Sequence, residues 1–408
     1  MQDFIVVGET RALVAQALLA LHTHAPARCL VIGGRHSGLL RWSPLCARHV
    51  KINFYGADDD RFVDTVNQHA QARPGAILVP ADCQGNRMIN RVRGRLHAAM
   101  MPAPDAPMLA CMNDKWRFHQ FCMAHGVPVP PARYFADKHA IDFVQAARQF
   151  GLPFVVKPLD QAVSTGVVIV TSEADFHAMV ADNDAYCFAP LIVQRHIAGC
   201  DVGLNLLSLH GTVAAMAIQR RVNSTVHFFA HAELEAIGHT IARASGYHGV
   251  MNIDARIEEG SGRVYLFESN PRLWRSLAAS VWCGVNFAGA CVDRTDHDRP
   301  APAPIGTPAL ATGSETDGPA RPHAGDACRR PVPAPVCLSA GVADVYYHPV
   351  LRPAQWRHVF FDSGRQGRMA RLMMTDPYLL ASSVRPASMA VWQFLNRHLL
   401  GRRVKRIY

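Results

Sequence analysis

The chain has 408 residues, of which 49% are hydrophobic and only 18% charged, enough for two or three domains that each bury a core. No run approaches the roughly 20 apolar residues of a membrane-spanning helix, and the opening MQDFIVVGETRALVAQALL starts on a strand-like run rather than a secretory leader. The expected place of work is therefore the cytoplasm. The formal charge of +10 is concentrated in residues 351–408, which carry eleven Arg and Lys against two Asp, so it describes a tail and leaves the body nearly neutral.

The eleven cysteines are scattered singly, without a CxxC pair or a Cys/His cluster at zinc spacing, which reads as reduced, mostly buried thiols. His22 and His24 read as ordinary helix residues rather than ligands. Lysine is scarce: Lys51, Lys115, Lys138, Lys157 and Lys405 are the only five among 42 basic residues. A chain that otherwise uses Arg keeps Lys where a compact ammonium is needed.

In chain order, Phe4–Gly8 reads as a strand, Arg11–His22 as a helix, Arg28–Gly33 as a second strand and Ala76–Pro80 as a third apolar run. This βαβ pattern predicts a Rossmann-like parallel sheet domain over residues 1–110. The turn Gly8-Glu9-Thr10 lacks GxGxxG, so a dinucleotide site is not expected. An open α/β domain still offers a ligand site at the carboxyl ends of its strands.

Asn113-Asp114 cap a predicted helix that runs to His125 and stops at Gly126. An extended stretch, Val127–Pro131, and a helix to Phe150 follow. Strands Phe154–Lys157 and Val167–Val170 flank the polar turn Leu159–Gly166. A helix near 173–182 leads to the strand Leu191–Arg195, then strands near 202–208 and 212–219 and a helix over 232–246. Asn252–Ile257 and Val264–Ser269 form a hairpin over Glu258-Glu259-Gly260-Ser261-Gly262. Residues 293–337 are rich in Pro and Ala and hold no Phe, Tyr or Trp, which predicts a disordered linker before a basic C-terminal region, 338–408.

The hairpin carries the chemistry. Glu268 and Asn270 stand two apart on one strand and so face one side. With the turn near Ser261, Asp254 falls opposite Glu268, Cβ atoms about 5 Å apart. Two carboxylates and an amide oxygen suit Mg²⁺, which takes one or two carboxylates and completes its shell with phosphate and water. A solvated hairpin with incidental acids reads equally well on this segment alone. Arg272, aimed by Pro271, can hold a phosphoryl or carboxylate oxygen bidentately. Lys157 emerges from the end of an apolar strand, beside a Ser164-Thr165-Gly166 turn able to close over phosphates. Lys115 begins a helix, where its charge opposes the macrodipole and suggests another use, such as phosphate contact.

Taken in order, NDKWRFHQF…GVPVPP, LPFVVKP…STGV, IVQRHIAGCDV and GVMNIDARIEEGSGRVYLFESNPR resemble the ATP-grasp superfamily, and within it the carbamoyl-phosphate-synthase-like carboxylate–amine ligases. The resemblance covers residues 111–292 and implies an α/β and α+β architecture: a preceding parallel-sheet domain, then an ATP-grasp fold with subdomains 111–188 and 189–292. It implies that Lys115 and Lys157 contact the nucleotide, that Ser164, Thr165 and Gly166 cover its phosphates, and that the hinge Gln194, Arg195, His196 and Ile197 pairs with adenine. Asp201 then binds ribose. Asp254, Glu268 and Asn270 hold Mg²⁺ or Mn²⁺, Arg272 steadies an acyl phosphate, and Arg220 adds a phosphate or substrate contact, as against a surface role. The hinge departs from the pattern at Arg195, where an acidic residue is usual. Arg275 departs where a small residue is usual, and either shapes an acceptor pocket or lies on the surface.

The implied reaction consumes ATP to activate a small-molecule carboxylate as an acyl phosphate, forms ADP, and passes the acyl group to an amine. The alternatives are thiol or bicarbonate chemistry on the same fold, or a nucleotide-binding regulator without turnover. A homodimer accords with the resemblance, and no nucleic-acid partner is expected. Residues 389–408 read as a basic amphipathic helix packed on the body, in preference to a weak membrane-surface or acidic-partner contact.

Overall fold

A computed structural model of the chain describes residues 1–56, 58–159, 161, 165–223, 225–295, 335–344 and 355–379. The expectations for residues 389–408, for Ser164 and for most of the 293–337 linker lie outside the described residues.

The first hundred residues fold as a parallel sheet of strands β1 (Gln2–Val7), β2 (Ala27–Gly33), β3 (Arg48–Lys51), β4 (Ile77–Pro80) and β5 (Ala99–Met100), in the order β3-β2-β1-β4-β5. β1 and β4 are apolar runs because both faces of the sheet are covered. Helix α1 (Arg11–His24) packs on one face, and α2 (Asp59–Ala72) and α3 (Cys83–Val92) on the other. The order reverses between β1 and β4, which makes the crevice beyond their carboxyl ends a natural ligand position. There Asp82 caps α3 by accepting from Gly85 N at 2.8 Å and also takes Thr10 N at 2.6 Å. A side chain at position 85 would place Cβ 2.3 Å from the Val7 carbonyl, so only glycine lets α3 start this close to β1.

Two sheets follow. Helices α4 (Ala106–Asn113) and α5 (Lys115–Ala124) are capped by Asp105 and Asp114, whose carboxylates accept from Met108 N and Arg117 N. The sequence predicted α5 and not α4. An antiparallel sheet in the order β6-β9-β7-β8 comprises β6 (Ala132–Phe135), β7 (Phe154–Pro158), β8 (Val168–Val170) and β9 (Leu191–Arg195). Helices α6 (Phe143–Phe150) and α7 (Glu173–Phe176) cover it through a cluster of Phe150, Phe154, Phe176 and Leu191.

The larger sheet has seven strands: β10 (Gly199–Leu209), β11 (Thr212–Val222), β12 (Thr225–Phe229), β13 (Gly249–Glu258), β14 (Val264–Asn270), β15 (Val336–Leu338) and β16 (Ala340–Ala343). Its order is β14-β13-β10-β11-β12-β16, with β15 alongside β11. One face packs on α8 (Ala232–Ser245), α4 and α5 through Leu204, Ile218, Ile253 and Leu266. The strand Val336–Leu338 overlaps the last two positions of the stretch expected to be linker and pairs with β11, and Ala340–Ala343, in the expected C-terminal region, pairs with β12.

After β14 come α9 (Leu277–Cys283) and α10 (Phe287–Val292), and near the end α11 (Trp356–Phe361) and α12 (Arg365–Thr375). A single apolar cluster joins α1 of the first domain to α9, α10 and α12, through Leu18, Leu277, Phe287 and Met369. Buried Asp376 accepts a short hydrogen bond from the Ser43 hydroxyl and further ones from Tyr378 N and Leu379 N. The end of the described chain thus clasps the parallel-sheet domain to the larger sheet. No helix among the described residues is long and apolar enough to cross a membrane.

Candidate active site on the bulged hairpin

Strands β13 and β14 pair with Asp254 opposite Glu268 and Asn252 opposite Asn270, but Ala255 opposite Leu266. Phe267 is therefore an extra residue, a β-bulge. Alternation would send Phe267 and Glu268 to opposite faces. The bulge puts both on the face away from α8, while Leu266 and Ser269 turn inward and are buried. Asp254, Glu268 and Asn270 consequently share one face. Asn270 Nδ2 donates to Asp254 Oδ2 at 3.2 Å, and its Oδ1 accepts from Arg272 Nη2 at 2.8 Å.

Lys115 reaches this face from the start of α5, and Lys157 from β7 of the smaller sheet. Lys115 Nζ lies 3.0 Å from Glu268 Oε2 and donates to the Gln161 carbonyl at 2.7 Å. Lys157 is 6% exposed, and its Nζ stands 5.5 Å from the Phe267 ring centre. Burial lowers the Lys157 ammonium to about 8, a shift that Glu268 opposes and Lys115 reinforces. Burial and the charge of facing Glu268 raise Asp254 well above the usual carboxylate range. Burial also pushes Glu268 up, but Lys115 and Lys157 outweigh it and hold the group below its ordinary value. The environments drive the two carboxyls apart, as expected for like charges sharing one site.

The donor set fits a hard divalent cation. Its two carboxylates repel each other, and the Asn270 amide beside them, whose Nδ2 faces Asp254 and whose oxygen faces Arg272, can present that oxygen to a cation by turning over. Among the described residues no group of three His, Cys, Asp or Glu is placed to hold a metal, so the third donor here is the Asn270 amide, and phosphate oxygens would complete the shell.

Arg272 faces the carboxyl edge of the parallel sheet. Asn86 Nδ2 donates to the Pro271 carbonyl at 3.4 Å, and the Arg272 guanidinium is near enough to the Cys83 thiol at the start of α3 for its charge to oppose the upward push that burial gives that thiol. A cavity of about 550 Å³ opens along the same edge, lined by Glu9, Gly34, His36, Lys51, Tyr55 and Arg61 among others. Tyr55 in its lining is close enough to Asp82 and Arg87, at the same edge of the sheet, to feel both charges.

Gln194, Arg195, His196 and Ile197 lie at and just beyond the end of β9. Arg195 Nη2 pairs with Glu258 Oε1 at 2.9 Å and its guanidinium lies over Tyr265, so the hinge's departure from the acidic pattern is matched by an acid on the neighbouring hairpin. Asp201 pairs across the strands with Arg256, whose Nε is 2.7 Å from Asp201 Oδ1. Gly166 has φ +73°, and its carbonyl accepts from Tyr186 Oη at 2.7 Å. Neighbouring Thr165 is exposed.

Arg220 is not brought to this cluster. Gln219 pairs with Gly203, which pairs with Asp254, so Gln219 and Arg221 share the carboxylates' face and Arg220 points to the other, over the Phe229 ring. The sequence reading missed Arg256 and Phe267. Their placement depends on the bulge and on strand pairing, although Arg256 stands two residues past Asp254 and on its face by simple alternation.

The sequence and fold comparisons agree on one class of proteins, and the chain belongs to it: the ATP-grasp superfamily. Within that class, residues 187–312 match the profile of a family described as "ATP-grasp in the biosynthetic pathway with Ter operon". The chain is 27% identical over 150 residues to the D-alanine–D-alanine ligase of Coprothermobacter proteolyticus, covering 36% of this chain and 48% of that one. The chain thus spans about half the length of that curated relative. In fold it is similar to the ADP complex of purK, N5-carboxyaminoimidazole ribonucleotide synthetase, with 14% identity, TM-score 0.55 and 71% and 76% of the two chains covered. It is likewise similar to an L-amino acid ligase from Bacillus licheniformis, with 13% identity, TM-score 0.55 and 72% and 74% covered.

Proposed function

We propose that the protein is an ADP-forming, ATP-dependent ligase that activates a carboxylate as an acyl phosphate and passes it to an amine. The observation that carries this reading is the convergence of Asp254, Glu268 and Asn270 with two buried ammoniums and Arg272 on one face. Amino-acid-joining relatives such as the D-alanine–D-alanine ligase favour an amine over a thiol or bicarbonate. On this reading residues 111–188 and 189–292 are the two ATP-grasp subdomains behind a 1–110 domain, and ATP with Mg²⁺ is the cofactor pair.

Lys115 and Lys157 would hold the phosphates, with Gln194 to Ile197 and Asp201 on the base and ribose and Thr165 and Gly166 in the turn beside them. Asp254, Glu268 and Asn270 would hold Mg²⁺, whose part when bound is to offset phosphate charge. Arg272 would stabilise charge on the transferring phosphoryl group and then on the acyl phosphate. The carboxyl edge of the parallel sheet, which Arg272 faces and along which the cavity beside Glu9 and Lys51 opens, would seat the organic substrates, with positioning supplying most of the rate. A cytoplasmic enzyme working on small molecules accords with this, and a homodimer remains compatible with it.

The test is an ATP-turnover screen against paired carboxylates and amines, scoring ADP against AMP. ADP and phosphate released only with a matched pair is the expected result. AMP with pyrophosphate would sink the acyl-phosphate chemistry, and no turnover with any pair would favour a nucleotide-binding regulator.

A further inference from the structure

Arg256 occupies the middle of the proposed nucleotide site without having a role in it so far. Its Nε and Nη2 both lie on one carboxylate oxygen of Asp201, at 2.7 and 2.6 Å, leaving the second oxygen for another donor. Its Nη1 donates to the carbonyl of Ile197 in the hinge at 2.7 Å. The guanidinium carbon stands 5.6 Å from the Phe267 ring, which Lys157 approaches at 5.5 Å. One planar fork thus ties the hinge, the acid at the ribose position and the aromatic residue of the bulge.

Geometry makes these bonds consequential. The Asp201 side chain is 75% exposed, whereas that of Arg256 is 24% exposed. An exposed carboxylate on its own samples several rotamers and must be ordered when a ligand arrives, which costs affinity. Arg256 sits directly across the ladder from Asp201 and is anchored at its far end to the backbone. A lysine could supply the charge but not both ends of the bridge.

We infer that Arg256 is a positioning residue for the nucleotide: it fixes Asp201 against the hinge so that the free carboxylate oxygen receives the ribose hydroxyls. This rests on the ATP-binding reading above and extends it to a residue outside the expected set. Arg256 acts through Asp201 and takes no part in phosphoryl transfer.

The experiment is a thermodynamic cycle in the full-length protein, measuring calorimetric affinity for ATP and for 2′,3′-dideoxy-ATP, with Mg²⁺ and without organic substrates. The wild type should lose about tenfold in affinity when the hydroxyls are removed. Arg256→Met should bind ATP about tenfold more weakly and discriminate the two nucleotides by less than about twofold, because the hydroxyls then meet an unheld carboxylate. Arg256→Lys, which keeps the charge and guards against a misfolded Met variant, should show the same loss of discrimination. If either variant, folded by thermal melting, keeps the full tenfold discrimination, Arg256 does not position Asp201 and the inference is overturned while ATP binding stands. If the wild type binds neither nucleotide, the ATP reading itself falls and takes the inference with it.

Discussion

Lys115 Nζ stands 3.0 Å from Glu268 Oε2, so an ammonium from the start of α5 neutralises a carboxylate at the far end of the chain's central hairpin. With Asp254 facing the same carboxylate, Lys115 does in the metal-free protein part of what a divalent cation would do in the loaded one. Lys115→Met should therefore lower the thermal midpoint by a few degrees, since a partly buried charge loses its partner. Millimolar Mg²⁺ should then raise the variant's midpoint by more than it raises the wild type's. Equal Mg²⁺ shifts in the two proteins would show that the ammonium and a cation do not share Glu268.

Glu268→Gln keeps the shape of the side chain and removes one anionic donor. ATP turnover should fall on the order of a hundredfold or more, with circular dichroism close to wild type and a thermal midpoint lowered by no more than a few degrees, since Lys115 loses its carboxylate partner. Full activity in the folded variant would remove Glu268 from the metal set.

Lys157 links the site to stability. Burial lowers its folded-state value to about 8 from an ordinary 10.5, so above about 10.5 neither state is charged and the residue costs nothing. As pH falls from there toward 8, the unfolded chain takes up a proton that the folded protein does not, and stability declines. Below 8 both states are charged and the cost is complete. Lys157→Met should thus be more stable than wild type at pH 7, by on the order of 1–3 kcal/mol, with the difference vanishing toward pH 10.5. Chemical denaturation across that range checks the sign, and a variant less stable at pH 7 would contradict it. The same variant should lose ATP turnover.

The strand geometry separates two arginines that the sequence placed together. Arg220 faces away from the carboxylates, over Phe229, and Arg220→Ala should leave ATP turnover within about twofold. Arg272→Lys retains charge but loses the fork that holds Asn270, and turnover should drop about tenfold to a hundredfold. Steady-state ADP release for the two variants, each at saturating Mg²⁺, decides the assignment.

Much of the fold was legible because its signals are local. The apolar runs of β1, β2 and β4, the boundaries of β9 and the cap at Asp114 follow from a few neighbouring residues, and so does the pairing of Asp254 with Glu268 around the Glu258–Gly262 turn. Helix α4 went unread because the prolines around Asp105 look like loop, although Asp105 with Pro107 at the first turn is itself a start signal. Strands β15 and β16 return after a long Pro- and Ala-rich stretch, and no local pattern announces a partner that far back in the chain. The site was legible to the same degree. Spacing alone aligned Glu268 with Asn270, whereas the facing of Arg220 depends on its partner strand's register through Gly203.

The extra residue in β14 also has a bearing on how such a site can vary. Tyr265, Phe267, Glu268 and Asn270 all stand on one side of a six-residue stretch, one more than strict alternation would permit. Removing Phe267 would leave Asp254 opposite Glu268 and Asn252 opposite Asn270, because the pairing on either side already runs in regular alternation without it. The aromatic surface beneath Lys157 and Arg256 can therefore be gained, lost or exchanged while the carboxylates keep their places. Two properties of one short strand, how it grips a nucleotide and how it grips a cation, are thereby free to diverge separately among descendants of this chain.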